Sequence, residues 1–387
     1  MRSLIWTFLT LVSATGSFGL PVLNPRTPST FPKTAKFDLV RKSNTVNKRD
    51  SGTTGEYAYG SDGAYLCEIL ASGQEFLLQF DSGSSDLWVL GPELEDQVTS
   101  QHTFYEPGSS ASYVEGSTFV SDYGGNYGVS GTVYVDTVTF GDIAVGNQAI
   151  GVANQFTGTS DVLKTASYDG IIGLDLGSTT FSSGGATFLE NVYEYLDYPV
   201  FTTKLTRENE EIGFYTFGYI NGTVVGEQEI QYTEVVYTEE GYWAFPSTTF
   251  SVGDQQISIP DNIAIADTGT TLILVNDDIL NAIYGSIGGN CNVEYEGEQL
   301  CIYPSDAEVP QLTFYVGNFG FSLADGDLND GSAAELGYEN WNVGTVQSRG
   351  EAPGDILGDV WLVNVYAIFD FTSGSPLFGA VPRAPGT

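Results

Sequence analysis

A mainly β chain with a few short helices, built as two related lobes with a cleft between them, is the fold class this sequence predicts. Three observations lead there. The chain has 387 residues, more than one hydrophobic core usually supports. It is poor in charge and rich in Gly, Tyr and Phe, a mix suited to strands joined by many turns. Finally, a pattern repeats: Phe80-Asp81-Ser82-Gly83-Ser84-Ser85-Asp86-Leu87-Trp88 and Ala266-Asp267-Thr268-Gly269-Thr270-Thr271 each follow an apolar run. Asp169-Gly170-Ile171-Ile172-Gly173-Leu174 follows the first, and Asp355-Ile356-Leu357-Gly358-Asp359 the second. Gly173 lies 92 residues after Asp81 and Gly358 lies 91 after Asp267, which predicts two halves related by an approximate two-fold axis.

The first segment, residues 1–19, reads as a secretory signal. Met1-Arg2-Ser3 precedes the short apolar core Leu4 to Val12, and small residues follow. That core is too short to span a membrane. Residues 20–49 are basic and read as a propeptide that ends at the dibasic Lys48-Arg49. After that point only Lys164, Lys204, Arg207, Arg349 and Arg383 are basic, whereas all but one of the 49 acidic residues lie there. Opposite charge would hold the propeptide on the acidic body and release it in acid. The same acidity repels phosphate backbones and excludes nucleic acid as a partner. A body this acidic is expected to be most stable where many carboxylates are protonated.

Residues 50–220 are read as the first lobe and 221–387 as the second. Alternating runs such as Gly131 to Phe140 and Gly213 to Gly218 predict strands. Thr187 to Leu196 and Asn276 to Tyr284 are the best helical patterns, the second with Asn or Asp near its cap. Cys67, in a strand-like run, reads as a small buried apolar residue. Cys291 and Cys301 enclose a short loop and are able to pair. No later stretch is long and apolar enough for a membrane anchor. Asn221-Gly222-Thr223 is a glycosylation sequon in a turn-like segment between the halves.

In each Asp-Ser/Thr-Gly-Ser/Thr motif the glycine permits a tight turn and close approach to the symmetry mate, while hydroxyls orient the acid. If Asp81 and Asp267 meet, the two like charges cannot both ionise, so the pair shares a proton. One carboxylate then takes a proton from water while the other gives one to a carbonyl oxygen. Rival chemistries lack parts. The only histidine, His102, sits in a Thr/Ser/Gln/Tyr-rich stretch that reads as exposed, and no GxSxG elbow supports a triad. No Cys/His metal spacing or calcium loop is present, and a glycosidase pair would sit in dissimilar contexts.

The paired motifs resemble the active-site loops of the pepsin-like aspartic endopeptidases (family A1), particularly secreted fungal ones. The resemblance spans residues 55–383 and extends to Asp370-Phe371 and Phe378-Gly379-Ala380 as closing strands. It implies a bilobal fold, a zymogen and acid-active endopeptidase chemistry on protein and peptide substrates. It also implies a monomer with no cofactor and no metal. It assigns Asp81 and Asp267 as catalytic, Ser84 and Thr270 as hydroxyls bonded to them, and Ser82 and Thr268 as the pair locking the loops, with Gly83 and Gly269 beside them. Tyr123 takes the flap tyrosine's role, with Gly124 and Gly125 at the flap tip, Trp88 as the indole partner and Ile171 beside the first loop. Cys291 and Cys301 match a second-lobe disulfide. Ser82 stands where threonine is usual, Gly125 where an acid or polar group is common, and Gln79 is polar at a pocket-wall position. A catalytically weak binding protein or inhibitor trap of the same fold is the alternative; such relatives lose an aspartate or loop glycine, and this chain keeps them.

Overall fold

Period-two runs become strands where the sequence places them. The computed structural model describes residues 34–38, 64–98, 102–124, 127–141, 143–158, 166–207, 210, 213–295 and 298–383. The signal segment, most of the propeptide with Lys48-Arg49, and Gly125 lie outside the described residues. Gly131 to Phe140 falls within the long strand Tyr127–Phe140, and Phe214–Phe217 is the second predicted strand. The first helix is about a turn shorter than expected, and the second is shifted by one or two residues. The first covers Phe188–Tyr193, closed by a capping box in which Thr187 and Glu190 exchange side-chain and backbone bonds. The second covers Asp277–Ser286, with Asn276 as the cap that accepts from Asp278 N and Ile279 N.

The first lobe is a seven-stranded sheet in the order Leu66–Ala71, Gln74–Asp81, Gly170–Gly173, Leu87–Leu90, Ile143–Gly158, Tyr127–Phe140 and Ser112–Tyr123. Its first strand also pairs back onto Tyr127–Phe140, so the sheet curls on itself. The second lobe centres on five strands, Ala244–Pro246, Ile263–Ala266, Asp355–Leu357, Ile273–Val275 and Val346–Ser348, with two four-stranded sheets beside them. The sequence repeat reappears as one topology. Gln74–Asp81 runs parallel to Gly170–Gly173, which Leu87–Leu90 meets antiparallel. Ile263–Ala266 runs parallel to Asp355–Leu357, which Ile273–Val275 meets antiparallel. Gly173 and Gly358 hold equivalent places in the two halves. A Cβ on Gly358 would lie 2.1 Å from the Thr270 carbonyl oxygen, and one on Gly173 would lie 2.5 Å from that of Ser84.

A six-stranded sheet joins the lobes from below, in the order Ala35–Asp38, Phe214–Phe217, Val200–Lys204, Val365–Asp370, Leu377–Pro382 and Gln231–Glu234. Every residue of Val200–Lys204 and Val365–Asp370 is buried. Above them Phe201 stacks on Phe369 with ring centroids 4.3 Å apart, and Trp243 stands edge-on to both. Each such ring removed from water is worth roughly 1.5–3 kcal/mol, so the aromatic floor fixes the lobes and the loops above it. The core is continuous across the lobes, running from Phe80 through Phe217 to Trp243 and Phe378.

Ala35–Asp38 belongs to the segment read as propeptide, where no strand was expected. It pairs antiparallel with Phe214–Phe217, and Lys36 sits 4.7 Å from the Phe214 ring centroid. A sheet edge binds extended backbone through its own N–H and C=O groups, with little demand on side-chain pattern. Backbone pairing thus joins charge as a means of holding this segment. Cys291 and Cys301 form a disulfide across the hairpin Asn290–Tyr295/Glu298–Pro304, and Cys67 is buried in its strand. Asn221 accepts from Thr223 N through Oδ1 at the start of the short turn Gly222–Val225. Among the described residues no helix is long and apolar enough to cross a membrane.

Candidate active site

Strand Gln74–Asp81 delivers Asp81 at its end, and Ile263–Ala266 stops one residue before Asp267. Each aspartate's main chain is pinned to its neighbouring strand: Leu174 N donates to Asp81 O (2.7 Å), and Asp267 N donates to Leu357 O (3.2 Å). The loops then interlock. Ser82 N donates to Thr268 Oγ1 (3.0 Å) and Thr268 N to Ser82 Oγ (3.0 Å). The same hydroxyls donate onward, Ser82 to Ala266 O (2.8 Å) and Thr268 to Phe80 O (2.7 Å). All four bonds cross between the halves and are buried, where an unmade bond would cost about 1–3 kcal/mol. Ser82 makes both bonds that its Thr268 counterpart makes; the methyl it lacks leaves the hydrogen bonding symmetric.

The carboxyl groups are held the same way on each side. Gly83 N and Gly269 N each donate to Oδ1 of their own loop's aspartate at 2.8 Å. The Ser84 hydroxyl donates to Asp81 Oδ2, and the Thr270 hydroxyl donates to Asp267 Oδ2 (2.7 Å). Asp81 and Asp267 face each other across the loop contact, close enough for each to act on the other's ionisation. They are 1% and 5% exposed, so water screens neither charge. Burial, then the charge of Asp267, pushes Asp81 well above the usual carboxylate range. Asp267 is also raised by burial, against hydrogen bonds from Thr270, Gly269 and Asp81 that favour its charged form. Two carboxyls this close and this buried cannot both ionise readily, so the pair holds a shared proton.

Close approach is possible because the loop glycines lack side chains. A Cβ on Gly269 would lie 2.1 Å from Asp81 Oδ1, and one on Gly83 would lie 2.6 Å from the Asp267 carboxyl. Gly269→Ala is therefore expected to force the aspartates apart and lower kcat/KM at least about a hundredfold. Gly285→Ala is the control: it lies in the helix Asp277–Ser286 with nothing within 4 Å, and activity should be unchanged. Equal activity in the two variants, assayed side by side, would rule out the tight loop contact.

The hairpin Ser112–Tyr123/Tyr127–Phe140 lies over the loops, and Trp88 Nε1 donates to the Tyr123 hydroxyl at 2.6 Å. Ile171 pairs with both Gln79 and Trp88 in the sheet and packs in one cluster with Trp88 and Tyr123. Gly124 is half-buried at the hairpin turn.

Several residues at the site escaped sequence reasoning. Gln79 is more than wall: it is buried and donates through Nε2 to Gly269 O (3.2 Å) on the opposite loop. Asp86 accepts from the Ser121 hydroxyl near the tip of the hairpin and from Thr180 N (2.8 Å) and Oγ1 (2.6 Å). Asp175 accepts from Gly177 N (2.9 Å); burial, and then the charges of Asp86 and Asp267 against a hydrogen bond from Ser85, pushes it up to about 8. Asp359 is fully buried with neither carboxyl oxygen hydrogen-bonded, and burial with the fields of Asp267 and Asp81 holds it well above normal. The available signal was a charge placed directly after an aliphatic-aliphatic-glycine element. His102 corrects an expectation: its side chain is buried, not exposed, with Nδ1 3.1 Å from Asp169 Oδ1. Asp169 also accepts from Thr103 N and Leu77 N, so the imidazole is a structural link away from the aspartate pair. Among the described residues no group of three or more His, Cys, Asp or Glu side chains is placed to hold a metal ion.

Two buried aspartates, one from each lobe, on interlocked loops beneath a tyrosine-bearing hairpin, define the aspartic peptidase class. Comparison with known proteins agrees. The family described as eukaryotic aspartyl protease matches residues 64–378. Aspergillopepsin-1 of Aspergillus clavatus is 33% identical over 346 residues, 88% of this chain and 83% of the relative. Aspergillopepsin-1 of Aspergillus oryzae is 32% identical over 327 residues, 84% and 80% of the two chains. The crystal structure of an aspartic proteinase from Irpex lacteus superposes with a TM-score of 0.68 at 21% identity, covering 92% of this chain and 98% of that one, a likeness of fold. The chain belongs to the eukaryotic aspartyl protease family, in its fungal pepsin-like branch, and is an aspartic endopeptidase hydrolase.

Proposed function

We propose that the chain is a secreted endopeptidase, made as a zymogen and active in acid, in which Asp81 and Asp267 are the catalytic pair. The observation that carries the assignment is the meeting of two buried carboxyls on interlocked loops, each oriented by its own loop. Asp267, the ionised partner, takes a proton from water as the water oxygen attacks the peptide carbonyl carbon. Asp81 gives its proton to the carbonyl oxygen. The resulting gem-diol collapses when Asp267 passes its proton to the leaving nitrogen and a diol hydroxyl returns one to Asp81. Ser84 and Thr270 keep both carboxyls in plane with the reacting atoms. Tyr123, held by Trp88, closes over the substrate, and Ile171 lines the cleft below it.

Residues 1–19 serve as signal and 20–49 as propeptide, with the lobes at 50–220 and 221–387. The charge step at Lys48-Arg49 and the edge strand Ala35–Asp38 support a removable segment. The disulfide supports an oxidising, extracellular destination, and Asn221 is a glycosylation site there. Protein and peptide substrates bind a monomer. The test is secretion of the full chain from a eukaryotic host, followed by N-terminal sequencing and casein hydrolysis across pH. The mature chain is expected to begin just after Arg49 and to be more active in acid than at neutral pH, with inhibition by a statine-type peptide. A fully active secreted chain that retains residues 20–49, or a neutral optimum, would refute the zymogen or acid reading respectively.

A further inference from the structure

Across the hairpin from Tyr123 stands a second tyrosine that the catalytic reading leaves unused. Tyr127 pairs with Tyr123 in the ladder, so both side chains leave the same face of the hairpin. Their rings stack with centroids 5.5 Å apart at 26°. Tyr127 is only 2% exposed. Its hydroxyl is buried beside the Tyr168 phenol. Tyr127 shares one buried cluster with Trp88, Tyr123, Tyr168 and Ile171, and Tyr168 lies two residues before the strand that flanks Asp81. Ile171 lies on the strand paired with the one that ends in Asp81, and Trp88 follows the first active-site loop, so this cluster adjoins the Asp81 loop.

We propose that Tyr127 is a specificity-determining residue: its ring forms the end wall of the first-lobe pocket that receives one of the two residues flanking the scissile bond. The ring takes up volume between Tyr123 and Ile171 that a large aromatic substrate side chain would otherwise fill. The pocket therefore prefers a residue of leucine size over tryptophan. This inference rests on the assignment of Asp81 and Asp267 as the catalytic pair.

The test compares the secreted wild type with Tyr127→Ala, Tyr127→Leu and Tyr127→Phe on a peptide library varied at both residues beside the cleaved bond. In Tyr127→Ala the kcat/KM ratio of tryptophan to leucine substrates should rise about tenfold or more at one of those two positions and stay constant at the other. Tyr127→Leu, which keeps an apolar side chain in the cluster, should move the ratio the same way by less and stands in if the alanine variant does not fold. Tyr127→Phe should keep the wild-type ranking, since the ring sets the size. An unchanged ranking in folded Tyr127→Ala or Tyr127→Leu overturns the inference, and so does a Tyr127→Phe ranking that matches the alanine variant. Asp267→Asn assayed alongside separates the failures: if it still turns over substrate, the reading of the dyad has failed, whereas an inactive Asp267→Asn with unchanged Tyr127 rankings sinks only the pocket wall.

Discussion

Asp267→Asn and Asp81→Asn are each expected to lower kcat on a peptide substrate by about 10⁴-fold or more, because each removes a group that moves a proton in the reaction. The two losses have different origins. Asparagine at 267 accepts a hydrogen bond but cannot hold the proton taken from water, so the nucleophile is never activated. Asparagine at 81 imitates the protonated carboxyl in shape and can donate to the carbonyl oxygen, yet it cannot release a proton to it. Neither change should unfold the protein. Gly83 N or Gly269 N can still donate to the amide oxygen, and the Ser84 or Thr270 hydroxyl can turn to accept from the amide NH2. Removing one of two buried like charges should raise the melting temperature at neutral pH and leave it nearly unchanged in acid, where the pair already carries a proton. Single-turnover assays with thermal melts at two pH values check this. Activity within tenfold of wild type in either variant would remove that aspartate from the mechanism.

How much of this site was legible depended on how local each interaction is. Asp81, Ser82, Gly83 and Ser84 act on one another within four positions, so a short motif carries them, and its recurrence at matched spacing with the glycine elements gave away the two-fold relation. Strand and helix positions followed from period and caps. Interactions between distant residues had no such signature. Thr180 reaches Asp86 across 94 positions and Gln79 reaches Gly269 across 190, with no periodic pattern to announce either. His102 lies in a polar stretch, and only the fold supplies Asp169 as its partner. The strand Ala35–Asp38 is held by a sheet edge rather than by its own pattern, and Tyr127 becomes notable only through the ring it stacks on.

Stability should fall steeply as pH rises from about 4 to about 8, an expectation that concerns the whole molecule rather than the dyad alone. Seven carboxyls are raised chiefly by burial: Asp81, Asp86, Asp175, Asp267, Asp330, Asp355 and Asp359. For a carboxyl whose folded pKa exceeds its unfolded value near 3.9, the folded chain binds more protons between the two values, so stability declines with pH across that window. For Asp175 the window runs up to about 8. Each unit is worth about 1.4 kcal/mol, so Asp175 alone reaches the order of 5 kcal/mol, comparable to the whole stability of many domains. Asp136 works in the opposite sense. Burial would raise it, but hydrogen bonds from Ser72, Ser110, Tyr105 and Thr137 outweigh that and hold it low. Its contribution is present above its unfolded value and is lost as pH falls below it, which supplies the acid limb. The maximum is thus expected near pH 4, with the melting temperature at pH 8 lower by about 10 °C or more. Asp175→Asn should flatten the neutral limb, since an amide keeps an acceptor for Gly177 N and Ser85 but has no charge to bury. A melting temperature at pH 8 equal to or above that at pH 4 would mean that these carboxyls are not held neutral in the fold. The proton shared by Asp81 and Asp267 would then have to be explained by their mutual contact alone.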